Sequence, residues 1–566
     1  MEKFKQELIR ILVAETKLDK NQIESIIETP PDPKLGDFAF PTFSLAKIYK
    51  KNPNEIAQDL ARKFEINKNI TKIEVKGPYL NFFINRKELA KQTLTRILKE
   101  KEKYGSEKKK KIQIMVEFCS PNTNKPLHLG HLRNIFIGQS ISRIYEFLGY
   151  GVKRTCIVND RGIHISKSIL AYKKFGKGKQ PDKKPDKFVG EFYVKYNQAV
   201  KQNLAIEQEA QELLQKWEQG DKQTIKLWKM MNSWVYKGFE QTYKELGVKF
   251  DKLYYESQIY KKGKDIIMKG LKYGIFKKEE GAIVAELEKY NLPNKVLIRA
   301  DGTSIYMTQD IYLAEKKFAD FPIKESIYVV GNEQNMHFKQ LFKILELLGY
   351  KWAKHCHHLN YGMVYLPEGR MKSREGTVVD ADDLIAEVRD LAKREITKRH
   401  KNLTKKELEK RAKAIGDGAL RFFILKIDPY KDMVYNPEES ISFEGETGPY
   451  IQYTHARIAS ILRKHKGKTR QKINYSLLSE EIEENLIRQL SLFQDVINQT
   501  ALHYKPSLLC RYLIELAQLF NEFYHKLPVL KAEDELRNSR IALILATKQV
   551  IQMGLSLLEI QAPEQM

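Results

Sequence analysis

Residues 125–134 read Lys-Pro-Leu-His-Leu-Gly-His-Leu-Arg-Asn, two imidazoles about a single glycine at a helix start. Before them, residues 112–118 (Ile-Gln-Ile-Met-Val-Glu-Phe) make a β-rich run, and a loop with Ser120, Pro121 and Asn122 follows. After them, Leu132, Ile135, Phe136, Ile137, Ile141, Ile144 and Leu148 recur at helical spacing. Strand, tight loop and helix in that order place the free N–H groups and positive end of the helix above the strand, which favours an anion. Gly130 lets a flat ring approach the backbone. His128 and His131 are positioned to donate hydrogen bonds to phosphate oxygens. The implied chemistry is work on a nucleoside triphosphate.

Around this element the chain divides into three parts. Residues 1–105 read as a small α+β unit. It has a helix at 3–16, a second helix at 44–50, strands at 73–75 and 80–84 about Gly77-Pro78, and a charged linker at 99–111. Residues 106–402 alternate strands and helices as a doubly wound, Rossmann-like parallel sheet, with strands expected at 112–118, 152–158, 282–286, 295–298 and 326–330. A polar helical stretch near 176–247 interrupts that rhythm as an insertion. From 403 to 566 only helices are expected, an all-α bundle with faces such as Leu486, Leu490 and Phe493.

Composition narrows the partners. With 98 Lys and Arg against 72 Asp and Glu, the chain carries a formal charge of +26, which favours a polyanion, most commonly nucleic acid. A lysine-rich proteome is the bland alternative. Cys119, Cys156, Cys356 and Cys510 form no Cys-x-x-Cys pair, so neither a disulfide framework nor a structural zinc site is indicated. The charged N-terminus and the lack of a long apolar run predict no signal peptide and no membrane span. The expected location is the cytoplasm.

The longer run at 116–134, Val-Glu-Phe-Cys-Ser-Pro-Asn-Thr-Asn-Lys-Pro-Leu-His-Leu-Gly-His-Leu-Arg-Asn, resembles the nucleotide-binding signature of class I aminoacyl-tRNA synthetases in its arginyl form. Residues 158–164 (Val-Asn-Asp-Arg-Gly-Ile-His) and 369–379 (Gly-Arg-Met-Lys-Ser-Arg-Glu-Gly-Thr-Val-Val) are similar to two further family blocks. The latter departs from the general second signature Lys-Met-Ser-Lys-Ser: Arg370 stands first, Ser373 fourth and Arg374 fifth. The lysine that normally meets the pyrophosphate is absent, and Lys125 looks like its substitute. Residues 445–461 match the entry to the family's anticodon-binding bundle, and 36–41 with 77–82 resemble the added domain that touches the tRNA elbow.

The resemblance implies a two-step ligase of class Ia. Arginine attacks the ATP α-phosphate to give arginyl-adenylate, and the arginyl group then passes to the 3′-terminal adenosine of arginine tRNA. Lys125, His128, His131, Arg370 and Arg374 are the implied catalytic residues; Gly130, Met371, Lys372 and Ser373 complete the ATP site with the two histidines. A buried guanidinium demands carboxylate partners. The family motifs put Asp310 and Glu256 near it with Tyr306 above, Glu117, Asn122 and His128 at the α-amino and carboxylate end, and Gln334 as a wall. Taken singly, each of these acids is more often a solvated surface residue. Asn81 and Phe82 are expected tRNA contacts, although Phe82 equally fits a domain core, and Tyr450, Tyr453 and Arg457 suit recognition of unstacked bases. Mg²⁺ should accompany the ATP, no zinc is required, and a monomer is expected. Two alternatives stay open: a paralogue that binds tRNA without charging it, and a class I synthetase for another amino acid, such as cysteine or glutamine.

Overall fold

Five parallel strands form the central sheet in the spatial order Cys356–Tyr361, Ile323–Gly331, Gln113–Glu117, Gly151–Val158, Lys252–Tyr255. The chain therefore starts in the middle, winds outward to one side, returns and winds to the other. The reversal falls between Gln113–Glu117 and Ile323–Gly331, and a doubly wound sheet binds ligands beyond the carboxyl ends of its strands at such a point. This is a computed structural model. It describes the chain apart from residues 31, 368, 371–378 and 466–472, with the side chains of residues 2, 33, 369 and 370 also outside the description.

The helix Leu129–Phe147 runs from the reversal point and is buried nearly all round, its apolar residues from Leu132 to Ile144 interleaved with buried Arg133, Asn134, Gln139, Ser140 and Ser142. Such a helix must be covered on every side. It lies between the central strands and the helix Lys405–Leu425. Gly138 permits the approach to the strand end, since a Cβ there would stand 2.4 Å from Cγ of Phe118.

Two of the expected strands belong elsewhere. Ala282–Ala285 and Lys295–Ile298 pair antiparallel in a separate sheet with Lys277–Glu279. The central sheet instead takes Lys252–Tyr255 and Cys356–Tyr361. Both are edge strands with polar sequences, Lys-Leu-Tyr-Tyr and Cys-His-His-Leu-Asn-Tyr, so they lack the apolar run of a strand buried on two faces. The insertion is helical as expected: Pro185–Gln202, Ala205–Glu218 and Lys222–Leu246.

In the N-terminal unit, Tyr79–Ile84 is the central strand of a three-stranded antiparallel sheet, paired with Phe38–Pro41 and, across the Gly77-Pro78 turn, with Ile70–Lys76. The helices at its start are Glu2–Glu15 and Phe43–Tyr49, close to expectation; Lys20–Ile26, Pro53–Lys63 and Arg86–Glu100 were missed. On that strand Asn81 is 5 % exposed and Phe82 1 %, the Phe82 ring edge-on to Phe64 at 5.7 Å, so Phe82 takes the core-packing role that the sequence also allowed and Asn81 is largely covered. Phe43, at the start of its helix, is 55 % exposed and edge-on to Tyr79 of the sheet at 5.9 Å.

The charged stretch at 99–111 is not a free linker throughout. Tyr104 is buried, its hydroxyl donates to the Leu490 carbonyl at 3.1 Å, and its ring stacks on Phe493. The C-terminal region is helical, with Gly448–Lys464, Glu481–Ser491, Phe493–His503, Pro506–Lys526 and Asp534–Leu557 packed as a bundle. One strand breaks the all-helical expectation there: Met433–Val434 pairs in parallel with Val364–Leu366.

Candidate active site

A sharp turn joins the first central strand to the helix Leu129–Phe147. Cys119 and Ser120 carry φ values of +80° and +47°, a conformation that side chains rarely adopt. The turn is held by Asn134, which accepts from the Cys119 N–H and donates its amide to the Val329 carbonyl at 2.7 Å. Asn159, after the neighbouring strand, donates its N–H to Pro121 at 3.0 Å and its side-chain amide to the Ser120 carbonyl at 3.1 Å. The loop is thus stitched to both strands beside it.

The two imidazoles cap the helix reciprocally. The Gly130 N–H donates to Nδ1 of His128 at 3.1 Å, and the His128 N–H donates to Nδ1 of His131 at 3.2 Å. Because each Nδ1 is an acceptor, the proton of each neutral ring sits on Nε2, which leaves an N–H donor for a ligand. Burial holds the rings neutral: His131 is pushed down to about 3 and His128 well below its ordinary value, first by desolvation and then by neighbouring positive charge. The space at Gly130 accommodates the motif's own ring first, since a Cβ there would stand 3.1 Å from Cε1 of His128.

Lys125 lies beside these rings. Desolvation pushes its amine down to about 8, and its charge contributes to the depression of both histidines. With His128, Lys187, Tyr193 and Asp380 it lines a cavity of about 240 Å³ facing the inserted helix Pro185–Gln202.

The second signature adjoins the first through the backbone. Its leading strand Gly369–Arg370 pairs with Val364–Leu366. Just past its end, the Leu129 N–H donates to the Val379 carbonyl at 3.1 Å and the Ala381 N–H to the Leu127 carbonyl at 3.0 Å. The Arg370 side chain and Met371, Lys372, Ser373 and Arg374 lie outside the described residues.

Glu117, Asn122, Glu256, Tyr306, Asp310 and Gln334 line a single cavity of about 450 Å³ at the carboxyl ends of the strands. His128, expected with them, lines the smaller cavity instead. Tyr306 and Asp310 stand one turn apart on the helix Tyr306–Asp320, hence on one face. Tyr306 is 66 % exposed at the rim, while Glu117 and Glu256 are each 4 % exposed.

Sequence reasoning missed the basic side chains among these acids. Lys317, wholly buried, meets Glu117 at 2.6 Å and sits 4.2 Å from the ring centre of Tyr328. His337 Nε2 meets Asp310 at 2.6 Å. Arg161 lies 3.8 Å from Glu256, stacks over Tyr260 at 4.1 Å, and pairs with Glu218 of the insertion. A signal existed for two of them. Lys317 falls seven residues after Asp310, two turns along the same face, and His337 falls three after Gln334. Behind Glu256, the buried Asp160 accepts from the Ser257 N–H at 2.8 Å, the Ser257 hydroxyl at 2.7 Å and Tyr236 at 2.9 Å.

Glu256 has the most displaced carboxyl of the cavity. Burial raises it to about 7, against the opposing pull of Arg161. A guanidinium prefers the ionised form, which exists above that value. Affinity for a cationic substrate should therefore weaken as pH falls through 7, approaching tenfold per unit well below it. Glu256→Gln should abolish that slope. An arginine Michaelis constant that stays flat from pH 8 to pH 6 in the parent would remove Glu256 from the guanidinium.

On the bundle, Tyr450 is partly buried and its hydroxyl accepts from Asn521 at 2.9 Å. Tyr453 is 39 % exposed, and the Arg457 guanidinium lies 4.7 Å from its ring centre and 5.6 Å from that of Tyr524, also 39 % exposed. Among the described residues no helix is long and apolar enough to cross a membrane.

Comparison with known proteins places this geometry in a class. Residues 93–436 match the model of the class I tRNA synthetase (R) catalytic domain, 2–84 the arginyl-tRNA synthetase N-terminal domain, and 451–566 the DALR anticodon-binding domain. The arginine–tRNA ligase of Treponema denticola is 48 % identical, covering 98 % of this chain and 97 % of its own. That of Bacteroides thetaiotaomicron is 43 % identical, covering 94 % of each. The Thermus thermophilus arginyl-tRNA synthetase structure superposes with a TM-score of 0.84 at 27 % identity, covering 95 % of this chain and 96 % of its own. The chain belongs to the arginyl-tRNA synthetase family.

Proposed function

We propose that this chain joins L-arginine to arginine tRNA in two ATP-dependent steps, by way of arginyl-adenylate. The observation that carries the reading is the meeting, at one sheet reversal, of a carboxylate-lined cavity with a helix start that offers two Nε2–H donors. Asp310 and Glu256 hold the guanidinium, with Tyr306 closing over it. Glu117 with its Lys317 partner, Asn122 and Gln334 orient the α-amino and carboxylate end. That arrangement leaves the carboxylate as the nucleophile toward the ATP α-phosphate.

His128 and His131 act as neutral donors to charge developing on the phosphates, fixed before the reaction by their caps on the helix. Lys125, Arg370 and Arg374 supply cations that steady the pyrophosphate side. Met371, Lys372 and Ser373 complete the nucleotide site. Mg²⁺ enters with the ATP, held through phosphate oxygens and water. Transfer then goes to the 2′-hydroxyl of the terminal adenosine, as in class I enzymes.

Residues 1–105 serve as the domain that meets the tRNA elbow, 106–402 as the catalytic domain, and 403–566 as the anticodon-binding bundle. The Tyr453–Arg457–Tyr524 cluster gives that bundle two exposed rings and a cation on which unstacked bases can lie. The enzyme works as a monomer in the cytoplasm.

Arginine-dependent exchange of pyrophosphate into ATP tests the activation step. Exchange should require arginine and be markedly stimulated by arginine tRNA. Equal exchange without tRNA would reject that coupling, and exchange driven by another amino acid would reject the substrate.

A further inference from the structure

Two residues beyond His131, the same helix carries Arg133, whose side chain is fully buried. Among the described residues it forms no ion pair with a carboxylate. Its guanidinium instead donates to backbone carbonyls of two chain segments. Nη1 reaches Gly362 at 2.8 Å and Met363 at 3.2 Å; Nη2 reaches Lys431 at 2.7 Å, Pro429 at 3.2 Å and Asp428 at 3.4 Å. The first segment leads into Val364–Leu366, and the second into Met433–Val434. They touch directly, because a Cβ at Gly362 would fall 2.4 Å from the Lys431 carbonyl.

The far side of this junction is held by the C-terminal bundle. Lys505 meets the Asp428 carboxylate at 2.8 Å. Its neighbour Tyr504 turns the corner between Phe493–His503 and Pro506–Lys526 at φ +54°. That tyrosine donates to Glu325 at 2.6 Å and stacks on His357 at 4.1 Å, both on strands of the five-stranded sheet. One corner of the bundle thus rests on the sheet and on the loop that Arg133 grips.

We propose that Arg133 is a positioning residue for arginine activation, which locks the helix of His128 and His131 to the joint where the bundle rests on the catalytic sheet. This rests on the reading that those imidazoles face the ATP phosphates. The planar fork suits the task, since it presents five donors in a fixed plane and stays charged while its hydrogen bonds go to carbonyls, with Asp428 and Asp432 near enough to favour that charge. A lysine keeps the charge but has three donors converging on one atom, too few and too close together for carbonyls spread over two segments. The helix rises only about 1.5 Å per residue, so a shift at Arg133 reaches His131 almost undiminished.

The test uses the full-length enzyme with arginine, ATP and arginine tRNA at saturation, reading the single-turnover rate of adenylate formation. Arg133→Lys should slow it roughly 10- to 100-fold, the cost of a small misplacement of catalytic groups, with the arginine Michaelis constant unchanged. Lys505→Met and Asp428→Asn alter groups whose side chains are 30 % and 28 % exposed, and they decide the question should Arg133→Lys not fold. Each should slow activation several-fold at unchanged melting temperature and tRNA affinity, and the double variant should be no slower than either single one. Parental rates in Lys505→Met and Asp428→Asn would overturn the joint. So would a loss in Arg133→Lys that only tracks its unfolded fraction. His131→Ala separates the underlying reading: if it too activates arginine at the parental rate, the phosphate role of the imidazoles is wrong, whereas a crippled His131→Ala beside unaffected joint variants rejects the joint alone.

Discussion

Lys125→Ala should slow adenylate formation roughly 100- to 1000-fold, the usual cost of removing one preorganised donor to developing charge. Arginine affinity and melting temperature should stay near parental values. Two observations meet in this expectation. The second signature carries Ser373 where most class I enzymes place a lysine, so one phosphate-directed cation is missing from that loop. Lys125 stands three residues before His128, and its amine is desolvated enough to be pushed down to about 8. A cation held short of water gains more from an arriving polyphosphate than an exposed one does. Below pH 8 the group is charged before the nucleotide arrives, and the nucleotide's charge should raise its affinity for the proton further. Adding Ser373→Lys to Lys125→Ala should restore part of the rate by returning the cation from the other side. The competing view makes Lys125 a turn residue beside Asn124 and Pro126. Near-parental single-turnover activation in Lys125→Ala would establish that view.

Asp310→Asn should raise the arginine Michaelis constant strongly and leave that of ATP alone. The substitution keeps the size of the side chain and removes its charge. Truncating one partner of a buried, hydrogen-bonded charge pair costs about 2–5 kcal/mol. Asp310 engages His337 Nε2 at 2.6 Å, so its carboxylate is placed at hydrogen-bonding distance from a nitrogen group inside the pocket. Asparagine can still accept a hydrogen bond but offers no charge to set against a guanidinium. Its amide can turn N–H groups toward the ligand, which adds repulsion. An unchanged arginine Michaelis constant would exclude Asp310 from the pocket, and an equal rise in both constants would point to a general distortion of the cavity.

The parts legible in the sequence were those where local pattern and chemistry coincide. The strand, turn and helix around His128 follow from a β-rich run, a turn cluster and apolar spacing, and the structure adds the reciprocal caps that decide which imidazole nitrogen faces outward. Glu117, Asn122, Glu256, Tyr306, Asp310 and Gln334, gathered by resemblance from four chain segments, do line one cavity. Less legible were features set by tertiary neighbours. Lys252–Tyr255 and Cys356–Tyr361 are strands because they add to a sheet edge, and their own sequences hardly announce it. Phe82 fits a tRNA contact and a domain core equally well in sequence, and only its burial on the middle strand of three, against Phe64, decides for the core. Arg161 is invisible as a pocket cation because lysine and arginine abound in this chain, and only its place beside Glu256 distinguishes it. Arg133 belongs to the most recognisable motif of all, yet its carbonyl cradle is built by segments more than two hundred residues away.

A guanidinium-specific cavity that feeds an adenylate-forming site, with its product passed to tRNA, makes one outcome decisive. It is read by charging total tRNA with each labelled amino acid in turn, in the presence of Mg·ATP. Arginine alone should be incorporated, into one tRNA family, by the full-length chain. Incorporation of another amino acid in place of arginine, or tRNA binding with no charging by any of them, would contradict it.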